Sequence, residues 1–314
     1  MAAELENAVN ATDKEAQYDD QAKRLLGHKY ILAHILIKAV DEFKGMCPKD
    51  VVQYIEGEPV ISRVPIEPGL TNRAKEKEGQ RVVGFNTENT EINEGLIRFD
   101  IVFYVRMRDG LAQIIVNIEA QKDEPTAYHL LNRAIFYVSR LVSAQKERDF
   151  VGTNYNDIRR VFSIWICMNM NENSMSHVHL TKDDLIGSHQ WKGRMDLLNI
   201  VFIGLSNDLP EHDEQYDLHR LLGTLLSMEM SPDEKLDILE NEYEIPIGDD
   251  IREEVNVMCN LSQGIKEKGG QERENKIITN MYIKGLTLEQ IADITDKNIE
   301  EVKSIIGSKD TVLV

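Results

Sequence analysis

Residues 95–123 read GLIRFDIVFYVRMRDGLAQIIVNIEAQKD, two apolar-rich runs joined at Arg108-Asp109-Gly110. Side chains alternate faces along a strand. In the first run Ile97, Phe99, Ile101, Phe103 and Val105 therefore share one face, opposite Arg98, Asp100, Val102 and Tyr104. In the second, Ala112, Ile114, Val116, Ile118 and Ala120 stand opposite Gln113, Ile115, Asn117, Glu119 and Gln121. Each run has one apolar face and one mixed face bearing an acid, and the Arg-Asp-Gly junction predicts a hairpin turn. Pairing the mixed faces brings Asp100 and Glu119 to the same side. Two carboxylates held close repel unless a cation or a proton lies between them. Mg²⁺ suits such a pair, because it takes oxygen ligands and accepts phosphate oxygens, with Mn²⁺ as the alternative. The same acids also suit a sheet face closed by salt bridges, Asp100 pairing with Arg98 or Arg133.

Outward from the hairpin, residues 126–148 (TAYHLLNRAIFYVSRLVSAQKER) have helical periodicity. One stripe is apolar, from Leu130 and Leu131 through Val138 to Leu141 and Val142. A second stripe, Arg133, Tyr137 and Arg140, is placed to overhang the cleft and meet a phosphate or an acid. RRVFSIWICMN and NIVFIGLS (199–206) read as buried strands, and the NMNENSMSHVHLTKDD between them as a polar loop. Upstream, a helix is predicted from about Asp20 to Phe43, followed by a Pro/Gly-rich connector, EGEPVISRVPIEPGLTN. The acidic first twenty residues have the composition of a disordered segment. Downstream, YDLHRLLGTLLSM and SPDEKLDIL read as helices, the second with a capping-box start at Ser231 and Glu234. These strands and helices predict an α/β fold, a mixed central sheet flanked by helices with an all-α C-terminal extension.

Four regions follow: 1–20 disordered, 21–205 the α/β core, 206–265 an acidic helical region, and 266–314 a linker (KEKGGQEREN) with a helix-turn-helix-like tail. In that tail Gly285 ends one helix and Thr287 with Gln290 opens the next. The last helix carries Glu300 and Glu301, which suits protein contact as well as it suits DNA.

At 314 residues and 42% hydrophobic, the chain can bury a sizeable core. Its net charge of −18 argues against a general nucleic-acid binder. The charge is uneven, with ten Lys/Arg against eight Asp/Glu in 95–165, but three against sixteen in 206–260. No run is long and apolar enough to span a bilayer, and the polar N-terminus is no secretory signal. A cytoplasmic protein is expected. Cys47, Cys167 and Cys259 have neither disulfide nor zinc-ligand spacing.

Asp100 followed by Glu119-x-Gln121 resembles the PD-(D/E)XK nuclease superfamily, which has a restriction-endonuclease-like fold. A longer series, HKYILAHILIKAVDEFK, VPIEPGLTN, NTENTEINEGLIRFDI, VNIEAQKD, NRAIFYVSRLVSAQ and VFSIWICMN, resembles its recombination-promoting nuclease and transposase branch. That resemblance implies a Mg²⁺-dependent DNA endonuclease serving transposition or recombination, with Asp100 and Glu119 as metal ligands. The superfamily pattern has lysine where Gln121 stands, so Gln121, or the adjacent Lys122 re-aimed by a bulge, is expected to position the attacking water. An additional acid from the first helix is expected at Glu42. Arg98, Arg133, Tyr137 and Arg140 are the expected phosphate contacts. DNA is the implied partner, and a homodimer would suit double-strand cleavage. The competing reading is an inactive, nuclease-like interaction module whose acidic region binds a protein partner.

Overall fold

The computed structural model describes residues 16–66, 75–77, 80–82, 97–107, 110–119, 128–146 and 149–307. A helix over residues 16–26 (α1) turns at Gly27 and His28 into α2 (Lys29–Ala39). A 3₁₀ turn at Asp41–Phe43 and the short α3 (Pro48–Val51) lead to β1 (Ile55–Ile66). The single helix expected from Asp20 to Phe43 is thus broken at Gly27. Helix is already present at residue 16, within the stretch expected to be disordered, while residues 1–15 lie outside the described residues. A Cβ at Gly27 would lie 2.5 Å from Ile61 Cδ1, so glycine lets the α1–α2 corner press directly on β1.

The strands β4 (Ile97–Met107), β5 (Gly110–Glu119), β6 (Val161–Met170), β7 (Ser174–His179) and β8 (Leu198–Ser206) join β1 in a six-stranded sheet ordered β1-β4-β5-β6-β8-β7. Here β5, β6 and β8 run parallel, and the other neighbours pair antiparallel. Two short strands, β2 (Lys75–Lys77) and β3 (Gln80–Val82), pair separately. The expected mixed sheet is therefore present, with two additions. The first part of the Pro/Gly-rich connector, up to Ile66, forms the edge strand β1, whose pairing shifts register between Glu56 and Val60 and again between Ile61 and Val64; its residues 67–72 lie outside the described residues. Gly57 (φ +61°) and Pro59 fall in the first shift, which is how an edge strand accommodates them. The polar run around His177 and His179 forms the opposite edge, β7, instead of a loop.

Layering follows strand alternation. Ile101, Phe103, Val105, Ile164, Ile166, Val201 and Ile203 face a core built with α1, α2, α5 (Asp217–Leu226), α6 (Pro232–Asn241) and the first turns of α7 (Asp249–Ile283). Val102, Trp165 and Cys167 face α4 (Leu130–Ser143) through Ala134, Val138 and Leu141. The Ser231 capping box opens α6 as expected. Residues 266–275, expected as a linker, are instead the middle of α7, a helix of 35 residues and about 50 Å. Its far end packs with α8 (Leu288–Thr295) and α9 (Ile299–Gly307) around Ile278, Ile291, Val302 and Ile306. Among the described residues no helix is long and apolar enough to cross a membrane.

Candidate active site at the opening between β4 and β5

Pairing between β4 and β5 begins at Met107↔Gly110 and, among the described residues, ends at Ile101↔Val116. Both strands continue. On its other side β4 stays with β1 as far as Ile97↔Ile66, and β5 stays with β6 as far as Glu119↔Cys167. The sheet therefore parts between β4 and β5 at the end that carries Asp100 and Glu119. Counting from Ile101↔Val116, alternation puts positions 100 and 119 on one face, the face of Val102, Trp165 and Cys167.

Asp100 is also reached from the opposite side. Its Oδ1 lies 3.0 Å from Lys23 Nζ on α1, the helix packed on the other face. Lys23 is only 5% exposed, and the same ammonium donates to Asp19, one helical turn earlier. The opening between the strands explains the contact, because a carboxylate at its rim is accessible from either layer. Gly27 helps, since the corner it forms rests on Ile61, and Ile61 pairs with Ile101 beside Asp100. Burial works to lower the Lys23 pKa, but the Asp19 and Asp100 carboxylates outweigh it and hold the group above the usual lysine value. Asp100 thus pairs with Lys23, a partner additional to the Arg98 and Arg133 that the sequence suggested. Neither Asp19 nor Lys23 was anticipated; their i, i+4 spacing was the available signal.

On the α4 side, the Arg133 guanidinium lies 5.1 Å from the Tyr137 ring centroid, 5.4 Å from that of Trp165 and 5.6 Å from that of Tyr128. It also donates to the Tyr128 hydroxyl at 2.9 Å. Trp165 pairs with Asn117, two residues before Glu119, so Arg133 and Tyr137 stand over the same end of the sheet. Arg140 follows on α4, half-buried. Arg98 pairs through its backbone with Pro65 of β1, and Gln121 and Lys122 lie outside the described residues.

Glu42 does not join this site. It sits in the 3₁₀ turn, where Arg160 donates to it at 3.0 Å. Arg160 immediately precedes Val161, which pairs with Gln113, six residues short of Glu119. Six strand residues span about 20 Å, too far for a shared ion. The first-helix acid that meets Asp100's partner is Asp19.

Two carboxylates gathered on one cationic nitrogen are a donor set that fits a hard, oxygen-seeking cation. Among the described residues no group of three or more His, Cys, Asp or Glu side chains is arranged to hold a metal ion. An open groove of about 710 Å³, walled by Lys23, Arg24, His28, Lys29, Glu58 and Glu254, leads to Lys23 from solvent.

No curated protein and no solved structure matches the chain. The family model for a PD-(D/E)XK nuclease family transposase matches residues 74–252, more than half of its length and all of β4, β5, α4, β6 and β8. With an acid on each strand at the opening and helices covering both faces of a mixed sheet, the chain belongs to the PD-(D/E)XK nuclease family transposases.

Proposed function

We propose that this protein is a metal-dependent DNA endonuclease acting in transposition or recombination. The observation that carries the reading is the Asp100 carboxylate, held against a cation at the rim of the opening beside the strand that bears Glu119. Asp100 and Glu119 would hold Mg²⁺ or Mn²⁺, with Asp19 replacing Glu42 as the acid from the first helix. When bound, the ion supplies Lewis-acid polarisation of the phosphoryl oxygen and a lower pKa for water. Gln121, or Lys122, orients the attacking water. Arg133 is stacked among three rings, so its charge is fixed in place for a phosphate; Tyr137, Arg140 and Arg98 extend that contact.

A plasmid assay tests the reading. Supercoiled DNA incubated with Mg²⁺ is expected to be nicked by the wild-type chain, and about a hundredfold or more slower by Asp100→Ala and by Glu119→Gln. Equal rates in all three proteins would reject the assignment. The competing reading, an inactive module that binds a protein, draws on the tail, where Glu300 and Glu301 stand exposed on α9 and would repel a phosphate backbone. A homodimer would suit cleavage of both strands, with one site for each strand.

A further inference from the structure

We infer that Lys23 of α1 supplies the positive charge that the Glu119-x-Gln121 pattern lacks. The inference rests on the nuclease reading above. Three observations support it. First, the position is unusual for a cation: Lys23 is 5% exposed and stands between Ala22 and the buried Leu25 and Leu26. Burying an ammonium costs several kcal/mol, and an apolar side chain would dock the helix without that cost. Second, the ammonium serves two carboxylates, Asp19 and Asp100, and one of them is on β4 at the opening. Third, Lys23 is one of the residues lining an open groove of about 710 Å³, so this part of α1 borders solvent.

The chemistry calls for such a charge. Hydrolysis adds water across one P–O bond: the attacking water gives up a proton, the departing ester oxygen takes one up, and the phosphorus centre carries added negative charge in between. A fixed ammonium beside the site opposes that charge without transferring a proton. Gln121 orients a water but brings no charge, and Lys23 supplies one from the helix layer.

The test uses the full chain and three variants. Lys23→Gln keeps donors for both carboxylates and removes the charge. It is expected to lower kcat for plasmid nicking about a hundredfold with KM for DNA within about twofold. Titration with Mn²⁺ alone, followed by calorimetry, should show affinity at or above wild type, because a competing cation has gone. Adding Gln121→Lys to Lys23→Gln should recover at least about tenfold in kcat. Wild-type nicking by Lys23→Gln would overturn the inference. So would a loss of kcat that tracks weaker Mn²⁺ binding and a lower melting temperature and is not recovered by Gln121→Lys; that result would make Lys23 a structural ion pair. Lys23→Arg decides if Lys23→Gln fails to fold, since it keeps the charge and moves it. A kcat about tenfold down at unchanged Tm supports the inference, and an unchanged kcat overturns it. A wild-type chain with no Asp100-dependent nicking would instead sink the nuclease reading itself.

Discussion

Glu42 precedes the buried Phe43, and anchoring that ring leaves the carboxylate at the start of β6, where Arg160 receives it. Both side chains are less than one-fifth exposed, at 16% and 14%, and Asp196 adds a second acid to the arginine at 3.7 Å. Glu42→Gln is therefore expected to destabilise the fold by about 1–3 kcal/mol in urea titrations and to leave plasmid nicking at the wild-type rate. A large loss of nicking at full stability would return Glu42 to the site. The contrast with Asp19 shows what residue patterns reveal. That positions 100 and 119 share a face was legible because alternation on a strand is a two-residue rule. The partner of Asp100 was not, because an opening between strands lets a residue meet a helix on the far face, and no local spacing records that. Glu42 lies beyond the break at Gly27, in a 3₁₀ turn, so it is not on the helix that meets Asp100.

Among the elements, the strands with apolar alternation and the capped helices could be read directly, from β4, β5, β6 and β8 to α6 and α8. The two edge strands were missed for one physical reason: an edge needs no apolar pattern on both sides. Gly57 and Pro59 in β1, and Ser174 to His179 in β7, therefore look like loop. Helix α7 was cut short in the sequence reading because Gly269 and Gly270 resemble a linker. The α1–α2 corner makes its own connection to α7, with His28 Nε2 lying 2.7 Å from Glu254 and Nδ1 3.9 Å from Asp250. Burial works against protonation of His28, but Glu254 and then Asp250 prevail and raise its pKa above 6.5. A raised histidine pKa means the folded state binds the proton more tightly. The tie therefore contributes fully below about pH 6.5 and is lost as pH climbs through the folded value. Denaturant titrations should show His28→Gln destabilised against wild type by about 1 kcal/mol at pH 5.5 and by clearly less at pH 8.5. A difference independent of pH would mean that the imidazole acts by packing alone.

At the scale of the whole molecule, α7 carries the tail away from the sheet. The Ile278–Ile306 cluster packs on the far turns of that helix, while its first turns, through Ile251, Val255 and Met258, belong to the main core. Between them run Lys266, Lys268, Gly269, Gly270 and Arg273, mostly exposed. Two adjacent glycines cost a helix about 1 kcal/mol each relative to alanine, so this stretch is where α7 opens most readily. Limited trypsin digestion should cut first after Lys266, Lys268 or Arg273, and replacing both glycines by alanine should slow that cut several-fold. Early cleavage elsewhere among the described helices would place the weak point outside α7.

Helix α1 stands upstream of residue 74, where the match to the family begins. A fragment trimmed to the matched stretch would keep Asp100 and Glu119 and pass inspection as an intact nuclease, yet it would start after the helix that carries Asp19 and Lys23. Its Asp100 would lose the Lys23 ammonium. The boundary of an evolutionary match and the boundary of a working electrostatic unit need not coincide, and here they differ by about fifty residues.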